Sequence, residues 1–264
     1  MKRRTFLQRT GLAAGMIVTA PLLGNCKEKE EHNFPLIDLH VHRAENFGMD
    51  QIMKISRERK VKFGIVEHPA NWSIKNDTDL KAYIDDMRKF PVYVGLQPMT
   101  TGWNKNFSPD LLARLDYVLM DPQTIPMGNG EYMRIWEFDT YVEDTEAFME
   151  TYMKHCLNIL NQEPINIFGW PLFLPVCIAR DYYTLWTEER MQKILSAARE
   201  KHIAIEINDM SHTPHEKFIL MAKEQGLKFT FGSDSRNQNA GRLAYCKAIA
   251  KKCNLTAGDF YLPG

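Results

Sequence analysis

From Pro35 to the C-terminus, short unbroken apolar runs alternate with longer stretches in which apolar residues return every three or four positions. The runs read as strands buried on both faces, and the stretches as helices with one buried stripe. Strand runs lie at 36–41, 62–67, 92–96, 117–120, 165–168, 204–207 and 228–231. Helical stretches lie near 49–59, 79–89, 109–114, 144–162, 188–201, 214–224 and 242–252. The alternation predicts βαβ units around a parallel sheet, and seven units suggest a TIM-like barrel. Thr213-Pro214 predicts an N-cap followed by a first-turn proline, and Gly226 stops that helix. Thr187 opens the preceding helix without a full capping box. No Gly/Ser-rich linker, repeat or low-complexity tract interrupts the series, so residues 33–264 read as one α/β domain.

The 264 residues are 44% hydrophobic and 25% charged, which excludes disorder and a small disulfide scaffold. Lys+Arg and Asp+Glu balance at 33 each. No basic field makes nucleic acid a partner. The five cysteines form no C-x-x-C pair, which argues against a zinc knuckle or redox motif; they read mostly as buried thiols.

The N-terminus has a different character. Lys2, Arg3, Arg4 and Arg9 precede Cys26 with no acidic residue among them. Arg3-Arg4-Thr5-Phe6-Leu7, followed by a weakly apolar stretch from Gly11 to Leu23, resembles a twin-arginine export signal. Leu22-Leu23-Gly24-Asn25-Cys26 resembles a lipobox, although Asn25 is bulkier than the residue usual before a lipidated cysteine. The apolar run contains Pro21 and falls short of the roughly 20 residues that span a bilayer, which favours cleavage. Residues 1–26 are therefore expected to be an export signal and 27–32 a charged tether. The expected location is the periplasm, or a membrane reached only through the signal or a lipid anchor. Loss of the four basic residues leaves 29 basic against 33 acidic groups, a net charge of about −4.

In a barrel of this kind the chemistry sits at the C-terminal ends of the strands. Those ends carry His40 and His42, Glu67 and His68, Gln97, Asp121, Trp170, Glu206 with Asn208 and Asp209, and Asp234 with Arg236. Side chains at i and i+2 share a strand face, so His40 and His42 offer two imidazoles to one ion. Asp234 ends the last strand, where closure brings it beside the first. Two imidazoles and a carboxylate leave open positions on zinc, manganese or iron, the arrangement that acidifies water near neutral pH. His68 is a further ligand or a general acid/base. Glu206 either hydrogen-bonds a ligating histidine or orients substrate. Arg236 either pairs an anion through its planar donors or forms a salt bridge to Glu67 or Glu206. His32, His155 and His202 receive no role, and His212 and His215 read as a solvent-facing loop. Four of the five tryptophans, Trp72, Trp103, Trp136, Trp170 and Trp186, lie in or near βα loops and read as loop packing.

Asp38-Leu39-His40-Val41-His42 and Gly64-Ile65-Val66-Glu67-His68 resemble the first two motifs of the PHP (polymerase and histidinol phosphatase) family. Glu206-Ile207-Asn208, Ala222-Lys223-Glu224-Gln225-Gly226 and Gly232-Ser233-Asp234-Ser235-Arg236 resemble its late motifs, in order and over almost the whole mature chain. The resemblance implies a distorted (β/α)7 barrel that hydrolyses phosphoesters with up to three metal ions. The ligand set is incomplete. Gln97 stands for a bridging glutamate, Trp170 for a histidine in Gly-His-Pro, and Arg236 for the last histidine. The fourth-strand histidine has no counterpart beyond nearby Asp121 or Gln123, and no further histidine follows in 43–48.

His40, His42 and Asp234 match the positions that serve mainly one metal, so one or two divalent ions are expected. The leading expectation is an exported metal-dependent hydrolase of a small anionic substrate, plausibly a phosphoester, with His68 or Asp234 handling protons and Arg236 holding the anion. A barrel that binds a ligand without turnover, and an amidohydrolase-type hydrolase, remain the alternatives.

Overall fold

The computed structural model describes residues 33–264 apart from Asn71, Trp72 and Asn129. The expected export signal, Cys26 and the tether lie outside the described residues. Strands β1 (Ile37–Val41), β2 (Lys62–Glu67), β3 (Tyr93–Leu96) and β4 (Tyr117–Met120) come first. A small antiparallel hairpin follows, β5 (Thr124–Pro126) with β6 (Tyr132–Arg134). Strands β7 (Ile167–Phe168), β8 (Ala204–Asn208) and β9 (Phe229–Gly232) complete the set. All but the hairpin join in a closed barrel of order β1-β2-β3-β4-β7-β8-β9. Every pairing around it is parallel, and β9 returns to β1 through Asp38 opposite Phe231.

Among the described residues eight helices accompany these strands: α1 (Met49–Arg59), α2 (Asp77–Met87), α3 (Pro109–Leu112), α4 (Thr145–Gln162), α5 (Tyr182–Leu185), α6 (Glu188–Glu200), α7 (Glu216–Glu224) and α8 (Ala244–Lys252). The fold is thus a closed seven-stranded parallel barrel with flanking helices. Its strands coincide with the apolar runs to within two residues at either end, because strands covered on both faces have no polar position to blur their limits. Among the described residues no helix is long and apolar enough to cross a membrane.

The lumen beneath the site is filled. Leu39, Val66, Tyr117, Leu119, Ile167 and Ala204 pack together from five barrel strands, apart from the larger core under the helices. Tyr117 crosses the lumen and donates its hydroxyl to the Leu39 carbonyl at 2.6 Å. A Cβ at Gly64 or Gly95 would overlap the Tyr117 side chain, so glycine on β2 and β3 makes room for this plug.

Local chemistry moves two helix starts. α2 begins at Asp77, two residues early, because Asn76 Oδ1 accepts from the amides of Thr78 (2.9 Å) and Asp79 (3.1 Å). α7 begins at Glu216 rather than Pro214, and its cap is His215, whose Nδ1 accepts from the Phe218 amide at 3.3 Å. Thr213 is instead tied to β8, its carbonyl accepting from the Asn208 amide at 2.8 Å. Thr187 caps α6 as expected, accepting from the Arg190 amide at 3.3 Å. Cys177 is exposed, whereas Cys156, Cys246 and Cys253 are buried.

Candidate metal centre

The centre is assembled where β1 meets the loop after β9. A register shift between Asp38 and Val41 interrupts the pairing of β1 with β2. Leu39 consequently joins the lumen cluster while Val41 joins the outer core. The His42 amide donates to the Ser235 carbonyl at 3.0 Å, which sets the end of β1 against the segment that carries Asp234. Asp38, fully buried, braces the same segment: its carboxylate accepts from the amides of Ser233 (2.9 Å), Gly241 (2.9 Å) and His40 (3.2 Å). Burial pushes the Asp38 carboxyl up to about 6, against the pull of those N–H groups.

His40, His42 and Asp234, all buried, bring one ligand atom each within 4.8 Å of one another. Asp234 Oδ1 lies 3.4 Å from His40 Nε2 and 3.2 Å from His42 Nε2. Neither approach is aligned as a hydrogen bond, so both ring nitrogens are buried without a hydrogen-bond partner. On the other side of the His40 ring, Nδ1 lies 2.7 Å from Glu206 Oε1. A carboxylate there accepts, so Nδ1 carries a proton, and Nε2 is the nitrogen left facing the mouth, able to ligate a cation once that cation displaces its proton. Glu206 Oε2 accepts from the Trp170 amide (2.7 Å) and from Asn208 Nδ2 (3.1 Å). Both oxygens are therefore engaged within the protein. This arrangement orients the His40 ring.

The backbone is strained at two of these points. Trp170 (φ 43°) and Asp234 (φ 44°) both sit in the left-handed region, which costs a residue with a Cβ roughly 1–2 kcal/mol. At Trp170 the conformation aims the amide at Glu206. Gly232 is required for a different reason, since a Cβ there would overlap Glu206 Oε1.

The charges sort the three residues. Burial opposes the imidazolium of His40, but Asp234 and Glu206 together outweigh it and hold its pKa at about 9. Burial drives His42 down to about 3, with Asp234 pulling the other way. Burial would raise Asp234, yet His40, His42 and Arg236 keep it ionised well below the usual carboxylate range. Two imidazoles and an ionised carboxylate form a donor set of intermediate softness, and two orphaned buried nitrogens are what a bound cation would satisfy. These residues fit a divalent ion.

His68 stands beside this group rather than in it. Its ring lies 4.9 Å from that of His42, and its Nδ1 donates to the Gln97 carbonyl at 3.0 Å. Burial lowers its pKa, so the ring is neutral at pH 7 and Nε2 carries the lone pair. Arg236 Nη2 faces that atom at 3.5 Å, and Arg236 Nη1 donates to Asp234 Oδ1 at 2.6 Å. The salt bridge to Glu67 or Glu206 is not made. Glu67 pairs instead with Arg43 (3.1 Å), and Glu206 with His40.

Gln97 Nε2 donates to Asp121 Oδ2 at 2.7 Å, and burial pushes Asp121 up to about 6. Sequence reasoning gave neither Asp38 nor Asp121 a function. Their signal was an acidic residue inside or directly after an otherwise apolar strand run. Trp103, Trp170 and Trp186 are buried and Trp136 half-buried, so these four serve packing; Trp72 lies outside the described residues. His212 is exposed and His215 half-buried, and neither belongs to the metal group.

No protein-family model matches the sequence, and no curated protein matches it. Eight solved chains match in structure. One of them belongs to an archaeal ribonuclease P, solved by cryo-EM with mature tRNA. It shares 15% identity with this chain, covering 83% of it and 90% of the other chain, at a TM-score of 0.38. That likeness is too distant to bear on function, and the residues gathered at the barrel mouth carry the reading that follows.

Proposed function

We propose that this chain is a divergent PHP-type barrel, exported by its N-terminal signal, that acts as a metal-dependent hydrolase on a small anionic substrate, a phosphoester foremost. One observation carries the reading: two buried imidazole nitrogens without hydrogen-bond partners face an ionised aspartate, and the ring of one is oriented by Glu206. His40, His42 and Asp234 would hold zinc, manganese or iron, which when bound would supply a Lewis acid able to polarise a substrate oxygen and acidify water. His68, neutral with its lone pair on Nε2, accepts a proton. The Arg236 guanidinium next to it binds the substrate anion. The hydrogen bond between Gln97 and Asp121, and the buried ring of Trp170, occupy positions where the family resemblance implies further ligands, so one ion is the expected number.

The test is elemental analysis of protein purified without chelator, followed by hydrolysis of 4-nitrophenyl phosphate with and without added zinc or manganese, His42→Ala serving as the control. Metal near one equivalent and activity lost in the variant support the proposal. Metal well below one equivalent that added ions do not restore would retire it. The 2.6 Å bond of Arg236 to a ligand oxygen favours one second reading, a barrel that binds an anion without turnover. In that case phosphate binds and no hydrolysis follows.

A further inference from the structure

The loops after β7 and β8, together with α8, enclose a cavity of about 530 Å³, within the range of small-molecule sites. Its lining is aromatic. Tyr182, Tyr183 and His215 form one group, with Tyr183 stacked on His215 at 5.4 Å and Tyr182 edge-on to both at 5.2 and 5.5 Å. His212 and Tyr245 form a second, stacked at 4.8 Å and 7° from parallel. Unlike the buried tryptophans, these rings keep open surface: Tyr183 is 77% exposed, and Tyr245 and His215 are only half-buried.

The polar groups around the cavity are mostly spent. Glu216 pairs with Lys252 at 2.6 Å, Ser211 and Thr213 share a hydrogen bond of 2.7 Å, and Tyr245 donates to the Pro214 carbonyl at 2.7 Å. Among the buried polar atoms of the lining, the exception is the hydroxyl of Tyr182, whose proton has no acceptor. The cavity thus offers π-faces and one unspent buried donor, with its lysine already neutralised. The lysine of the lining is paired with Glu216, so an anion would find no unpaired lysine or arginine in it. A flat unsaturated ring gains stacking on the faces and needs a single acceptor atom for Tyr182.

We infer that this cavity binds an aromatic or heteroaromatic ring bearing a hydrogen-bond acceptor, with Tyr183 and Tyr245 supplying stacking faces and Tyr182 the donor. Two chains of contacts connect it with Glu206 of the metal centre. Phe173 of the lining packs edge-on against Trp170 at 4.9 Å, and the Trp170 amide bonds Glu206. Ser211 donates to Asn208 Oδ1 at 3.1 Å, and Asn208 bonds Glu206 in turn. Placing the organic part of the substrate here rests on the hydrolase reading; binding of a ring does not.

The test uses the full chain in EDTA, titrated with 4-nitrophenol and, as a saturated match, cyclohexanol, followed by ligand-observed NMR. 4-Nitrophenol is expected to bind about tenfold more tightly than cyclohexanol. Tyr183→Ala, at an exposed position that spares folding, should weaken it about threefold to tenfold, the size of one aromatic contact. Tyr182→Phe should weaken it about threefold, one hydrogen bond. Binding should persist in His42→Ala. Equal affinity for the two probes, or affinity unchanged in both tyrosine variants, overturns the inference. With metal-loaded protein, a raised KM for 4-nitrophenyl phosphate in Tyr183→Ala extends it to the substrate. If no hydrolysis occurs while 4-nitrophenol still binds, the hydrolase reading fails and the ring site stands.

Discussion

Glu206 Oε1 lies 2.7 Å from His40 Nδ1, and this contact decides which nitrogen of His40 faces the barrel mouth. The same carboxylate holds the strained amide of Trp170 and the side chain of Asn208. One fully buried residue on β8 therefore sets a ligand on β1, the turn after β7 and its own strand end.

Glu206→Gln tests that role. An amide nitrogen at either terminal position faces a donor already there, His40 Nδ1–H on one side or the Trp170 and Asn208 N–H groups on the other. At least one buried donor is stranded in either case, which costs about 1–3 kcal/mol of stability. Zinc affinity should fall about 10- to 100-fold, the usual effect of removing a partner behind a ligating histidine. Urea unfolding and a competition titration with a chelating dye measure the two effects.

Gly232→Ala should reach the same centre from β9. Its Cβ would overlap Glu206 Oε1 and crowd His40, so the Glu206–His40 pair must separate or the strand must shift. Overpacking of this kind costs about 1–3 kcal/mol. In the ring NMR spectrum of the metal-free protein, the His40 Nδ1 proton should lose its hydrogen-bonded shift. An unchanged signal would mean that the carboxylate had another place to go.

What the sequence made legible follows from how each feature is encoded. The barrel strands were visible because burial on both faces leaves continuous apolar runs, and His40, His42 and Asp234 could be grouped because barrel closure puts the first strand beside the last. The β5–β6 hairpin was not visible. Its strands have three residues each, and Tyr132–Arg134 is largely exposed, so no periodicity marks it. The start of α7 was misplaced because Thr213-Pro214 satisfies the local rule for a helix entry, while the tertiary bond from Asn208 to Thr213 decides otherwise. The bracing by Asp38, the need for Gly232 and the partner of Arg236 all depend on the register between β1 and β9, which no local pattern carries.

His155 provides a pH test away from the metal centre. Burial alone lowers its pKa to about 4. Above pH 6.5 the ring is neutral in both folded and unfolded chains. Between pH 6.5 and 4 only the unfolded chain takes up the proton, so stability falls as pH falls, and below about 4 the loss levels off. His155→Gln removes this contribution. Relative to the parent, the variant should gain about 3 kcal/mol on going from pH 7 to pH 4. Urea midpoints for both proteins at pH 7, 5.5 and 4 measure the difference, and a gap independent of pH would sink the argument.

Arg236 is poised between two roles with opposite consequences for metal. Nη1 donates to Asp234 Oδ1 at 2.6 Å, while the side chain as a whole is 44% exposed and can leave that oxygen. In Arg236→Ala a cation is withdrawn from a ligating carboxylate, so affinity for zinc or manganese should rise roughly tenfold, the scale of one partly screened charge a few ångströms away. The loss of the guanidinium should at the same time weaken inorganic phosphate by about 1–3 kcal/mol. Arg236→Lys keeps the charge and loses the planar pair of donors, so it should recover part of the phosphate binding. Arg236→His returns an imidazole, but the Gln97–Asp121 hydrogen bond and the buried Trp170 ring still fill the neighbouring positions, so metal should stay at one equivalent. A chelator competition titration and phosphate calorimetry on the same preparations separate the two effects. Tighter metal with unchanged phosphate would make Arg236 only a counter-ion for Asp234, whereas weaker phosphate with unchanged metal affinity would show that its bond to Asp234 Oδ1 does not compete with the ion.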